Sequence, residues 1–199
     1  MIPCSTASPT SASPPCIPLI ISPSPTGNTK SDVTPRVTNK CLTTWGFTST
    51  TFTAERQGQS ASWTVTVERN VGQAGALSNG YLFGLGVANN VLNVKDLVGM
   101  TSSSYALACV GGQLQFGHDG QMEEVMTLDS LPLTLTLTLN CEHPHFNILT
   151  YRVQSSSEKQ GVGSTLVTKK LLNDPASKEF AFPVFTVSQR VKLLFPTCV

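Results

Sequence analysis

The residues best suited to metal chemistry lie between positions 141 and 145, where the chain reads C-E-H-P-H. On an extended backbone, Cys141, His143 and His145 would point to one side, and zinc prefers thiolate and imidazole ligands. Side chains two residues apart on a strand are, however, about 6 to 7 Å apart, too far to share one tetrahedral ion without a bend. Pro144 could supply that bend, but no fourth ligand is evident. We therefore interpret the segment as a polar connection between strands and predict no metal and no cofactor.

Catalytic patterns of other kinds do not occur in the sequence. Serine is plentiful, but there is no G-x-S-x-G elbow, and three histidines with twelve acidic residues do not define a triad. Gly84 and Gly86 are spaced like the start of a phosphate-binding loop, yet the third glycine, a following helix and a G-K-[ST] string are missing. We interpret the acidic pair Glu123-Glu124 as part of a solvated loop. We therefore predict no catalytic residues and a protein that is not an enzyme.

Uncharged hydrogen-bonding side chains in the predicted loops are better candidates for function. Amides and hydroxyls can satisfy the backbone of an extended peptide without the cost of burying a charge. Binding residues also concentrate in loops that rigid sheets hold in place. The candidate partner-binding residues are Asn70, Gln73, Asn90, Asn93, Tyr105, His118, Asp119 and Gln121. For each of them taken singly, an ordinary solvated turn is the alternative.

Composition excludes several classes of partner. The chain has 13 Lys and Arg against 12 Asp and Glu, a net charge of +1, so it lacks the basic excess that nucleic acid or an anionic membrane surface requires. No run approaches the roughly 18 apolar residues of a membrane span, so membrane insertion is not expected. The six cysteines are scattered, and the N-terminus lacks the basic leader of a signal peptide. These features favour reduced thiols and a cytoplasmic location.

The prolines divide the chain into two parts. Residues 1 to 35 hold 8 of the 13 prolines, with Ser and Thr in most gaps and no charged side chain before Lys30. Such a segment cannot bury enough apolar area to offset the entropy lost on ordering. We predict a disordered tail or linker over residues 1–37 and one globular domain over residues 38–199. Phosphorylation of the Ser-Pro pairs in the tail is an alternative role.

Beyond Thr38 the pattern consists of short strands separated by polar and Gly-containing turns. Apolar residues alternate with threonine in segments 62–68 and 131–139, the period of two of a half-buried strand. Gly111-Gly112 predicts a two-residue hairpin turn. Further strands are predicted at 81–88, 105–110, 113–116, 145–153, 163–171, 180–186 and 191–195. No long segment has helical periodicity, so the pattern indicates an all-β fold, an antiparallel β-sandwich of two packed sheets or a barrel.

The order of these segments resembles the SPRY domain family, as found in tripartite-motif and B-box-and-SPRY proteins. The string G-x-x-x-x-W-T-V-T-V-E over 58–68 looks like the tryptophan-bearing strand of that family, and Y-L-F-G-L-G-V-A over 81–88 looks like the strand that follows it. Segments 104–120, 133–142, 148–153 and 182–185 are similar to its later strands. The resemblance covers roughly residues 41–199 and implies a concanavalin-type sandwich. In that fold Trp63, Gly84, Gly86 and Pro183 would have structural roles.

The resemblance also implies a function in protein recognition. SPRY domains commonly form the target-binding part of ubiquitin-ligase proteins, so the chain is expected to bind a peptide segment of a protein partner through its sandwich loops. It contains no RING or B-box array of cysteine and histidine, so no ligase activity of its own is expected. The alternative is a structural β-sandwich, a shell or coat subunit whose threonine faces assemble with copies of itself. The sequence leaves self-association open.

Overall fold

The structure, a computed structural model, describes residues 21–23, 36–38, 41–43, 50–54, 60–70, 77, 80–89, 96–143, 145–155, 164–170 and 182–195. These residues contain fourteen strands: β1 (Ile21–Pro23), β2 (Arg36–Thr38), β3 (Cys41–Thr43), β4 (Thr50–Ala54), β5 (Ser60–Arg69), β6 (Tyr81–Ala88), β7 (Ser104–Val110), β8 (Gln113–His118), β9 (Gln121–Thr127), β10 (Leu133–Asn140), β11 (Ile148–Ser155), β12 (Ser164–Lys170), β13 (Phe182–Val187) and β14 (Val191–Leu194). Within these ranges no helix is long and apolar enough to cross a membrane.

The strands form two seven-stranded sheets that pack face to face. Sheet A has the order β1-β4-β13-β6-β7-β8-β9, and sheet B has the order β12-β11-β10-β5-β14-β3-β2. Every pair of neighbouring strands is antiparallel. Buried side chains from both sheets form one large apolar cluster between them. The predicted all-β antiparallel sandwich is confirmed.

Strands β5 and β10 explain how the sequence builds sheet B. Trp63 pairs with Leu137 and Val65 with Leu135, and all four side chains are buried between the sheets. The intervening threonines and Ser62 face outward and pair across the two strands, with Oγ to Oγ distances of 2.9 to 3.4 Å. The period of two in the sequence therefore separates the apolar core from a hydroxyl-bearing outer face.

Two hairpin turns set the register of strands β7 to β9. Gly111 and Gly112 both have positive φ, 61° and 81°, which is the two-residue hairpin geometry predicted for them. Asp119 and Gly120 have φ of 52° and 74° and form a second such turn, between β8 and β9. The interpretation of Glu123-Glu124 as a loop is therefore wrong, because both lie in β9. This edge strand is polar and its pairing register shifts opposite Leu114 and Gln115, so it has no clear period of two.

The N-terminal part of the chain is described only in short pieces. Strand β1 and the first two residues of β2 lie inside the predicted tail, and these strands pair with β4 and β3. The other residues of 1–37 lie outside the described ranges. The disordered tail and the domain boundary after residue 37 therefore stay a prediction.

A covering loop, residues 96–103, lies against the outer face of sheet A. Val98 is fully buried there in a small cluster with Ala88, Ala106 and Val184. Strand β6 has glycine at position 84 beneath it, and a Cβ on Gly84 would approach Val98 Cγ2 to 2.6 Å. The loop can approach the sheet this closely because the residues below it are small.

Hydrogen bonds to both amide and carbonyl groups hold the backbone of the covering loop against the sheet. The Val98 amide donates to Thr186 Oγ1 at 3.3 Å, and the Tyr81 hydroxyl donates to the Val98 carbonyl at 3.0 Å. The Gly99 amide donates to Ser104 Oγ at 2.9 Å. Loop residues usually carry unpaired backbone groups at the surface, whereas this loop has its central groups paired with the sheet.

Candidate functional site

An aromatic row, Tyr105, His118, Phe116 and Tyr151, lines the inner side of the sandwich toward one edge. Tyr105 and His118 are cross-strand partners on β7 and β8, and their rings stack with centroids 3.8 Å apart and an interplanar angle of 7°. Phe116 lies two residues before His118 and therefore on the same face. Its ring centroid is 6.2 Å from that of Tyr105 and 6.1 Å from that of Tyr151.

Backbone contacts fix the outer end of this row. Nδ1 of His118 lies 3.0 Å from the Ser104 carbonyl oxygen, and because a carbonyl can only accept, Nδ1 carries the proton in this hydrogen bond. The Asp119 amide donates to the Thr101 carbonyl at 3.1 Å, which ties the β8–β9 turn to the covering loop. The covering loop thus positions the turn that bears Asp119, whereas the first residue of β7 positions the ring of His118.

Beside the aromatic row is an edge groove of about 380 Å³, lined by Phe116, His118, Asp119, Gln121, Met122 and Glu123. Its volume falls within the range of ligand-binding clefts, roughly 300 to 1,000 Å³. The groove follows β9, which ends sheet A and pairs only with β8 among the described strands. Asp119, Gln121 and Glu123 are exposed at its rim. The groove therefore combines an aromatic wall with exposed polar groups.

Lys169 reaches this groove from the opposite sheet. It pairs with buried Leu149 on β11, so its side chain starts from the inner face of β12. Its ammonium forms an ion pair with Glu123 and lies 5.3 Å from the centroid of the Phe116 ring. That distance is within the range of a cation–π interaction. The contact links the edge strands of the two sheets.

The structure brings four of the predicted binding residues together. Tyr105 stacks on His118, and His118, Asp119 and Gln121 line the edge groove. Asn70 is elsewhere: its side-chain amide donates to the carbonyls of Gln189 and Val191, at 2.6 and 3.0 Å, beyond the opposite end of β6 and β7. Strand β7 alone separates the two places by roughly 20 Å. Gln73, Asn90 and Asn93 lie outside the described residues.

Sequence reasoning did not single out three residues that shape this groove. Phe116 was predicted only as part of a strand, although its spacing of two from His118 places both on one face of that strand. The interpretation of Glu123 as a loop residue hides its place on β9. Lys169 is 46 residues from Glu123 in the chain, and its contact depends on how the two sheets pack. No local pattern in the sequence could have found it.

The four residues with structural roles in the resemblance lie in the interior. Trp63 is 8% exposed, and Gly84, Gly86 and Pro183 are buried. A Cβ on Gly86 would come within 2.6 Å of Ala106 Cα on the neighbouring strand. Pro183 pairs with Val87 on β13.

Buried ionisable groups are held in their neutral forms. Burial raises the pKa of the Cys109 thiol to about 12 and raises the pKa of both Tyr81 and Tyr151. A thiol of this kind is not a ready nucleophile at neutral pH. Near the C-E-H-P-H string, His143 stacks on Phe146 and its Nδ1 accepts from the His145 amide at 3.2 Å. Among the described residues no group of three or more His, Cys, Asp or Glu is placed to hold a metal ion.

Comparisons with known proteins give a likeness in fold. The chain is similar to the crystal structure of the PSpry domain of TRIM65, with a TM-score of 0.57 and 16% identity, over 90% of this chain and 92% of that one. A crystal structure of a human SPRY domain gives a TM-score of 0.47 and 11% identity, over 83% of this chain and 96% of that one. No family model and no curated protein matches the sequence. The chain thus has a SPRY-like fold, as the resemblance implied.

Proposed function

We propose that this protein is a non-enzymatic recognition module that binds an extended peptide segment of a protein partner in the edge groove. The observation that carries the proposal is the clustering of Tyr105, His118, Asp119 and Gln121 on and beside this groove. Each was selected from the sequence for its hydrogen-bonding or aromatic character, and the fold gathers them at one edge. Asn70, whose amide holds a turn elsewhere, has no part in the proposed site.

The position of the groove along an edge strand favours an extended peptide over a compact small molecule. Edge strands of sheets offer backbone donors and acceptors to an added strand, and neighbouring pockets then read alternate side chains. Here β9 supplies the edge, and the aromatic row supplies apolar area beside it. Asp119 and Gln121 supply polar contacts at the rim.

The test is selection of a randomised peptide display library against the immobilised full chain. Recovered peptides are then titrated against His118→Ala and Gln121→Ala, with affinity measured by fluorescence anisotropy. We expect each substitution to weaken binding by about tenfold, because each removes a groove side chain that contacts the peptide in the proposed complex. Gln121 is exposed, so its replacement leaves the core intact.

The matched control is Gln113→Ala, which changes the same residue type on the same hairpin at the end remote from the groove. It should leave affinity unchanged. Failure to recover any peptide whose binding depends on His118 or Gln121 would count decisively against the proposed function.

The alternative of a self-assembling structural subunit has one supporting observation, the threonine-rich outer face of sheet B. Those hydroxyls are already paired with one another between β5 and β10, which lowers their value for a second copy of the chain. We therefore expect static light scattering to give a mass that does not change with protein concentration. Large symmetric particles would support the alternative instead.

We extend the proposal to the role of partner selection within a ubiquitin-ligase or scaffold system of the cytoplasm. Its support is the family resemblance of the sequence together with the SPRY-like fold. In an assay that supplies ubiquitin-activating and ubiquitin-conjugating enzymes, the chain alone should form no ubiquitin conjugates. Conjugates that depend on the chain would contradict a purely adaptor role.

A further inference from the structure

We propose that the edge groove selects a basic side chain of its partner, and that Lys169 occupies the place of that side chain in the free protein. The occupant is an extended segment of a partner protein that carries arginine or lysine. This inference rests on the proposed function, since it names the chemistry that the same groove reads.

The charged side chains that line the groove are two carboxylates, Asp119 and Glu123, among the residues that the structure describes. The cation that reaches them, Lys169, comes from the opposite sheet and, among those residues, pairs with Glu123 alone. The chain as a whole carries a net charge of only +1, so the excess of carboxylates is local rather than a property of the molecule. Charge complementarity therefore favours a basic segment and disfavours an acidic one.

In the free protein the groove already binds one basic side chain, the ammonium of Lys169. This ammonium lies between the Glu123 carboxylate and the face of Phe116, a combination of ion pair and cation–π contact. The carboxylate and the ring come from the edge of sheet A, whereas the ammonium comes from the edge of sheet B. The inner end of the groove is thus shaped for a cation on a flexible stem.

The contact is also weak enough to be exchanged. The Glu123 side chain is 68% exposed and that of Lys169 is 25% exposed, so water screens the pair. A guanidinium from a partner could stack on the aromatic row and pair with carboxylate oxygens in two places, which an ammonium cannot do. Lys169 would then turn toward solvent, and a partner that binds must compete with it.

The test uses peptides recovered from the display library by their dependence on His118 or Gln121. Each basic residue in them is replaced by its neutral counterpart, citrulline for arginine or acetyl-lysine for lysine. We expect one such replacement to weaken binding by about tenfold. Glu123→Gln should weaken the parent peptide to a similar degree and should remove most of the difference between parent and neutral peptide.

Lys169→Met tests the competing role directly. It keeps the length of the stem and removes the charge, so the parent peptide should bind several-fold more tightly. The matched controls are Lys192→Met and Glu68→Gln, which break a second ion pair, at 3.0 Å on sheet B. These controls should leave affinity unchanged.

Two contrary results are distinguishable. Groove-dependent peptides that contain no basic residue, or that tolerate every neutral replacement, overturn this inference and leave the proposed function standing. Recovery of no groove-dependent peptide overturns the proposed function itself. Weaker binding of the parent peptide to Lys169→Met overturns the competing role of Lys169.

Discussion

At the residue scale, Tyr151 shows how one hydroxyl joins the two sheets. Its side chain is fully buried, and its hydroxyl donates to the Leu85 carbonyl on the opposite sheet at 3.1 Å. Tyr151→Phe keeps the ring and removes that hydrogen bond, so the free energy of unfolding should fall by about 1 kcal/mol. Urea unfolding followed by tryptophan fluorescence measures the change. An unchanged midpoint would show that the cross-sheet bond does not stabilise the fold.

Gly86 tests the close approach of two strands. A Cβ at this position would meet the backbone of β7, which cannot move aside without breaking the β6–β7 ladder. Gly86→Ala should therefore lower the free energy of unfolding by about 3 kcal/mol. The control, Gly111→Ala, meets no atom within 4 Å and only adds strain at φ of 61°, which costs about 1 to 2 kcal/mol. A reversed order of these two losses in thermal unfolding would contradict the packing described here.

Residue types and local spacing predict some of the residues of the candidate site. Tyr105, His118, Asp119 and Gln121 could be selected from the sequence because they are polar or aromatic residues next to predicted turns. The spacing of Phe116 from His118 is a signal that places both on one face, whereas the place of Glu123 depends on the irregular register of the edge strand. Asn70 has the same residue type as a binding amide, yet it serves the chain's own backbone.

At the element scale, the covering loop depends on one buried hydroxyl. Thr186 Oγ1 accepts from the Val98 amide and lies 2.7 Å from Thr51 Oγ1. Thr186→Val keeps the shape of the side chain but leaves a buried donor unpaired, which costs about 1 to 3 kcal/mol. Hydrogen exchange of residues 96–103 should become faster while exchange of β10 stays the same.

The control for this prediction is Thr136→Val, at an outward-facing threonine of sheet B whose partner is another side chain. It should leave exchange in the covering loop unaffected. Equal protection of residues 96–103 in Thr186→Val and in the native chain would mean that apolar contacts of Val98 alone hold the loop.

Elements with a nearly continuous apolar run or a clear period of two could be predicted closely. The segments predicted at 81–88 and 105–110 correspond to β6 and β7 almost residue for residue. Strand β9 could not be predicted, because Q-M-E-E-V-M-T alternates neither in polarity nor in burial. Its place in the sheet follows from the Asp119-Gly120 turn, whose positive φ values the residue types permit but do not require.

At the scale of the whole molecule, the buried cysteine thiol and tyrosine hydroxyls predict a loss of stability in alkaline solution. Cys109 has a pKa of about 12 in the folded chain against an ordinary value of 9.0, and burial is the main cause. Above pH 9 the unfolded chain releases this proton while the folded chain retains it. Stability is therefore fully present below pH 9 and falls as pH rises toward 12, by at most about 1.4 kcal/mol per pH unit for this group.

Guanidinium unfolding between pH 8 and pH 11 measures this dependence, and Cys109→Ala is the variant that tests its cause. The variant starts from lower stability because it leaves a cavity, but its stability should decline less steeply with pH. The raised pKa of Tyr81 and of Tyr151 acts in the same direction, so some decline remains. Identical slopes in the variant and the native chain would exclude Cys109 as a cause.

The two-sheet architecture could be predicted from the sequence, whereas the contact between the edge strands β9 and β12 could not. Alternating Leu and Thr in β10 require one buried and one exposed face, and that pattern is local. The contact between Lys169 and Glu123 depends on the order of strands in both sheets. That order is fixed by long-range packing, so the sequence alone could not predict that a lysine reaches the groove.

The small residues beneath the covering loop have a consequence for how this chain can diverge over evolution. A Cβ on Gly84 would collide with Tyr81 and with Val98 of the loop, whereas a Cβ on Gly86 would collide with β7, so Gly84 should change only together with its loop contacts and Gly86 only together with β7. The groove rim has no such constraint, because Asp119 and Gln121 are exposed. We expect distant relatives to share a spaced pattern of glycine and alanine on β6 and β7 while their rims vary freely. Such relatives would be recognised by small residues at these spaced positions rather than by a continuous sequence motif.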